Sequence, residues 1–178
     1  MCSSDLALTS DQVVALTTAQ AAALTTGQVK ALTTGSIVSL ETADLASLTT
    51  AQVAALTTDQ VKVLTTDEVV ALKTSQVVAL TTGQVVALTT EQVVALTTSQ
   101  ASSLTTAQVA ALTTAQFVAL ETADIPSLTT SALAGLTTVQ INSFTTSMVA
   151  ALTADQYNSL SSAQLSQFST AQIAALTI

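Results

Sequence analysis

Paired carboxylates are the side chains in this sequence whose spacing could hold a metal ion. Glu41 and Asp44 stand three residues apart, as do Glu121 and Asp124, and Asp67 is followed by Glu68. Carboxylate oxygens suit calcium, yet such a site takes about six to eight oxygens, and two carboxylates without a Gly-bearing loop supply too few. The bland reading, acids placed at helix starts, fits better. His, Arg and Trp do not occur, so there is neither an imidazole base or ligand nor a bidentate clamp for phosphate or carboxylate. A nucleophile, a base and an orienting group therefore cannot be assembled, and the expectation is no enzyme, no catalytic residue, no cofactor and no metal site. Lys30, Lys62 and Lys73 are isolated and face eleven acidic residues, for a net charge of −8, which repels nucleic acid and anionic lipid. Cys2 is a lone thiol and says nothing of redox compartment.

The elements that position these residues follow from an internal repeat. Every eighth residue from Leu8 to Leu176 is Leu, except Phe144 and Phe168, and the consensus from one Leu to the next is L-T-T-x-Q-V-x-A. Eight residues at about 100° each overshoot two helical turns by about 80°, so a continuous helix would lose its apolar seam. A flat strand fails on parity, because Leu and Val would face opposite sides of the pleat. A β-solenoid remains the alternative, although its corners usually draw on Gly, Asn, Asp or Pro, and the chain has four Gly and one Pro.

Within one octad the spacing suits a short helix. Val85 and Leu88 are three apart and share a face, with Ala87 beside them. The expected core is Val53, Val61, Val77, Val85 and Val93 with Leu56, Leu64, Leu72, Leu80, Leu88 and Leu96, while Gln and the variable residue lie nearer solvent. The second Thr of each pair is the preferred N-cap, at Thr18, Thr26, Thr50, Thr58, Thr82, Thr90 and Thr98, because the first position also accepts Glu41, Lys73, Glu121 and Ser161. A second frame caps with the first Thr and forms a T-x-x-Q box, as in Thr89 to Gln92. Asp11, Asp59, Asp67, Glu91 and Asp155 follow the pairs, where a helix N-terminus favours negative charge.

A helix of about six residues does not persist alone in water, so stability must come from stacking. The fold class is all-α: a superhelical solenoid with one very short helix per octad and Thr-Thr corners. The small residue before each Leu implies close backbone approach between coils, with Val63 and Gln167 as places where packing widens or the side chain points outward. Pro126 fits a first-turn or corner position. Phe117, Phe144, Phe168 and Tyr157 replace core Val or Leu. The octad does not fix how many units complete a turn. Two units eighty residues apart, ETADLASL at 41–48 and ETADIPSL at 121–128, hint at a higher repeat of ten octads.

The apolar runs end after about four residues, against the roughly 20 that a spanning helix needs, so no membrane span is expected. Of the 178 residues 49 % are hydrophobic and 8 % charged, against about a quarter charged in globular domains, which places the apolar content in the repeat. Met1 to Leu6 depart from the repeat. Read back through the genetic code with GTG as start, they resemble a translated sequencing adapter. The expectation is a non-native or disordered tail at 1–6 and one solenoid of about 21 octads at 7–178, a metagenomic fragment of a longer array.

The LTTAQVAAL-type units, as at Leu48 to Leu56, resemble octapeptide tracts of very large bacterial surface or type I secreted proteins labelled adhesin-like. The resemblance implies a stalk or spacer, extracellular or at the cell surface. Its partners would be neighbouring repeats or domains of the parent protein, with self-association through exposed solenoid ends. The alternative is a binding module using rows of surface Thr for ice or glycans. Thr ladders for ice, however, stand on flat sheets with T-x-T spacing, whereas adjacent Thr residues at a helix start point in different directions.

Overall fold

The computed structural model describes residues 8–120 and 122–176. Met1 to Leu6 with Cys2, and Glu121, lie outside the described residues. The chain divides into two compact units, Met1–Ala95 and Leu96–Ile178, each taken by itself. Each octad folds into one short helix, such as Thr50–Ala55 or Thr138–Asn142, and no strand occurs among the described residues. The fold is an all-α solenoid and the β-solenoid alternative is excluded.

The helix start lies one residue earlier than expected. In the helix Thr82–Ala87 the N-cap is Thr81, in extended backbone at φ −70° and ψ 157°. Its hydroxyl accepts the Gln84 N–H at 3.2 Å, and Gln84 Oε1 accepts the Thr81 N–H at 2.7 Å. The same box forms at Thr17, Thr25, Thr49, Thr57, Thr89 and Thr97. Thr18, Thr26, Thr50, Thr58, Thr82, Thr90 and Thr98 are therefore the first helical residues and not the caps. The reason is spacing: a reciprocal box needs the amide three residues after the cap, and Gln stands three after the first Thr but two after the second. Thr81→Ala is expected to cost about 1 kcal/mol and Thr82→Ala less than about 0.5 kcal/mol, read from urea unfolding. Equal losses would return the cap to the second Thr.

The corner that follows uses no unusual backbone. Leu88, the C-cap, turns to φ −57° and ψ 141°, and the next cap Thr89 is also extended. Two extended residues break the helix, and no described residue has a positive φ. Sequence with little Gly and Pro can therefore turn a corner every eight residues.

Helices three octads apart stack. In the first unit Thr26–Ala31 packs on Thr50–Ala55, which packs on Thr74–Ala79, and Thr18–Ala23 packs on Thr42–Ser47, which packs on Thr66–Ala71. In the second, Thr106–Ala111 packs on Thr130–Ala134, and Thr138–Asn142 on Ser162–Leu165. Three octads therefore complete one turn in either unit. The interior is lined by two positions per octad, the first Val or another apolar residue and the second Leu, or Phe at Phe144 and Phe168. Val53, Val61, Val77, Val85 and Val93 are at most 1 % exposed, and Leu56, Leu64, Leu72, Leu80, Leu88 and Leu96 are buried. The next residue along, at Val70, Val78 and Val86, is about 100° further round the helix and is exposed.

The small residue before each Leu lies where turns approach. Ser47 Oγ donates to the Thr18 carbonyl at 3.0 Å, and a Cβ on Gly135 would collide with the Thr106 methyl. Val63 and Gln167 are part-exposed, and the Gln167 amide folds back toward the Ala163 carbonyl at 3.4 Å. In the octad of Pro126 the α-helix gives way to a 3-10 turn, Ile125–Ser127, with Pro in its first turn. Proline has no N–H to donate to the carbonyl four residues back and its ring crowds that carbonyl, so the α-helix cannot pass through it.

Candidate functional site

The side chain with the most specific geometry is the glutamine of each octad. Sequence placed it near solvent; from Gln52 onward the structure buries it, while Gln12 and Gln20 are exposed. Gln52, Gln60, Gln76, Gln84 and Gln92 are at most 2 % exposed. In Gln84 the side-chain Nε2 donates to the carbonyls of Val53 at 2.9 Å and Leu56 at 2.7 Å, which lie 31 and 28 residues earlier. Gln60 reaches Val29 and Leu32, and Gln76 reaches Leu45 and Leu48, at the same separations. The second unit repeats the pattern, with Gln140 on Val109 and Leu112 and Gln156 on Ile125 and Leu128.

Burial is tolerated because the amide is satisfied at both ends. Its oxygen accepts the cap N–H of its own helix, and its two N–H groups serve the carbonyls that end a helix in the preceding turn. Those carbonyls belong to the end of their helix, where the i→i−4 donors run out; that of Val53 keeps only the Leu56 N–H. One side chain thus closes the start of one helix and the end of another. The missed signal was internal: Gln recurs at its position in octad after octad, whereas a solvent-facing position would vary as freely as the one before it.

Several octads fill this position differently, and each replacement is buried. Ser36 Oγ donates to the Leu8 carbonyl at 3.1 Å, a single link. Ala132 and Met148 make the position apolar, and Asp44, Glu68 and Asp124 make it acidic. Burial raises the pKa of Asp44, and the nearby Glu41 charge raises it further. Burial also raises that of Glu68, against the hydrogen bonds from the Thr65 backbone and hydroxyl. At the exposed Glu91, its own backbone N–H and then the Thr89 hydroxyl lower the pKa.

The other candidates stay apart. Among the described residues no group of three or more His, Cys, Asp or Glu is placed to hold a metal ion, and Asp44 is buried while Glu41 is exposed. Lys30, Lys62 and Lys73 are exposed. Phe117 packs on Phe144 with ring centroids 5.1 Å apart, and Phe144 on Phe168 at 5.9 Å; all three are buried. The Thr side chains do form rows: Thr34, Thr58 and Thr82, each three octads from the next, are exposed at helix starts. Successive members are separated by helix packing, about 8–10 Å, and not by the roughly 4.8 Å of a strand ladder.

With this geometry in hand, the comparison with known families is decisive. The ALTTAQ repeat family matches residues 3–34, 37–74, 66–98 and 117–154. The chain belongs to the ALTTAQ repeat family. Ala15 to Gln20 and Ala111 to Gln116 spell that repeat in full. In this ALTTAQ chain its letters acquire roles: the small residue at the inter-turn approach, the core Leu, the cap Thr, the first helical Thr, an exposed variable residue and the Gln that joins turns. No curated protein and no solved structure matches the chain. No described helix is long and apolar enough to cross a membrane.

Proposed function

We propose that this ALTTAQ array is a structural spacer or stalk within a larger bacterial surface or secreted protein, working at the cell surface or outside the cell. The observation that carries this reading is the glutamine link. It repeats with one geometry from turn to turn within each unit, so a turn can be added without designing a new contact. Adhesin-like parents, with binding or anchoring modules elsewhere, suit such a part, as does a chain whose described surface forms no pocket. Neighbouring repeats or domains of the parent are its natural partners.

The test is a length series. Inserting one, two or three copies of residues 57–80, each one turn, should increase the maximum dimension in small-angle scattering by a constant step of about 8–10 Å per turn. A dimension that stays fixed or grows irregularly contradicts a spacer. Thermal hysteresis or selective glycan-array binding by the unmodified chain would favour the Thr-row binding module instead.

A further inference from the structure

Glu68 is 2 % exposed and occupies the position that Gln holds in the octads around it. One carboxyl oxygen, Oε2, accepts the Thr65 N–H at 2.6 Å and the Thr65 hydroxyl at 2.9 Å, as the glutamine oxygen does in the capping box. The other, Oε1, is buried with no hydrogen-bond partner. In Gln60, Gln76, Gln84 and Gln92 the atom at that place is Nε2, donating to carbonyls 31 and 28 residues back. By the same register the carbonyls facing Oε1 are those of Ile37 and Leu40. An ionised carboxylate has only lone pairs to set against them, whereas a neutral acid has one O–H to donate.

We propose that Glu68 is a buried proton-binding site: its neutral carboxyl donates from Oε1 to the carbonyl end of the preceding turn, and loss of that proton to solvent loosens the stack there. The groups around it reinforce the neutral form. The helix Thr66–Ala71 packs on Thr42–Ser47, which carries Asp44 behind the cap Glu41, and on Thr90–Val94, which carries Glu91. Its own helix adds Asp67, and Thr34–Val38, which leads to the Leu40 carbonyl, has no titratable side chain. Every titratable group on these helices is acidic, and Lys62 and Lys73, the nearest cations along the chain, are exposed at neighbouring corners. Burial acts in the same direction, raising the Glu68 pKa. A carboxyl whose folded pKa lies above its unfolded one binds protons on folding. Its contribution is complete below the unfolded value and is lost as pH rises through the folded one.

Two measurements on the full chain test this. In a carbon-13 NMR titration the Glu68 carboxyl should change at a pH clearly above the ordinary glutamate value of about 4.3; a midpoint at or below it overturns the proposal. The melting temperature should fall as pH rises through that midpoint. Glu68→Gln, which restores both N–H donors, should remove that component, melting about 3 °C or more above the native chain at pH 8, a gap that narrows at pH 4, where the neutral acid donates one O–H of its own. Asp44 titrates in both proteins, so their difference isolates Glu68. If the gap is independent of pH, or if added calcium chloride raises the native melting temperature at pH 8 while the carboxyl midpoint drops, the position holds no proton of this kind and the proposal fails.

Discussion

Gln84→Ala should lower the unfolding free energy by about 3 kcal/mol, a large effect for a residue that hydropathy assigns to the surface. The substitution removes the donors to Val53 and Leu56 and the acceptor of the Thr81 N–H. Val53 retains one partner, because its carbonyl also accepts the Leu56 N–H, so the heavier loss falls on Leu56. Leaving a buried polar group unpaired costs about 1–3 kcal/mol. Gln84→Met, which keeps the volume and imitates the natural Met148, should recover the packing but none of the three hydrogen bonds, and so should fall between alanine and the native chain. Gln12→Ala is the control. Gln12 makes the capping box but is exposed, so only the box is lost, about 1 kcal/mol. Urea midpoints at constant slope give all three values. Equal losses at Gln84 and Gln12 would mean that the inter-turn link contributes nothing.

Phe117→Ala should destabilise the chain by about 3–5 kcal/mol, the usual cost of emptying a buried aromatic site. The ring is fully buried and tilted against Phe144, which in turn meets Phe168 edge to face. Phe117→Leu should cost less than about 2 kcal/mol because most of the volume remains. The pair Phe117→Ala and Phe144→Ala should be non-additive by about 0.5–1.5 kcal/mol, the coupling expected of touching rings. Additive losses would show that each ring merely fills its own octad.

Much of this fold was legible in the repeat. One helix per octad follows from Val and Leu three apart, and stacking follows from helices too short to stand alone. The cap frame was ambiguous because two adjacent Thr residues offer the same hydroxyl; only the distance to Gln separates them. The buried glutamines were missed because hydropathy sends an amide to water, whereas burial is decided by whether its hydrogen bonds are met. Those partners lie in the preceding turn, well outside the octad and its immediate neighbours. The number of octads per turn depends on the angle of the Leu–Thr corner, which no single octad reports. One trace of it was present: Phe144 and Phe168, the two departures from Leu, stand three octads apart, one full turn, and their rings touch. Glu68 shows the reverse limit, since sequence grouped it with Asp67 as an acid at a helix start and only burial separates them.

Each buried glutamine, on this account, reaches into the preceding turn of three octads to close the end of the helix that leads into the one stacked on its own. The most direct test is a nuclear Overhauser spectrum of the chain with the Gln84 side-chain amide assigned. The account predicts cross-peaks from those amide protons to the Hα protons of Val53 and Leu56, the residues whose carbonyls they meet. Cross-peaks instead to residues one octad nearer or farther along the chain would mean two or four octads per turn, and none at all would mean a solvated amide; either result would contradict it.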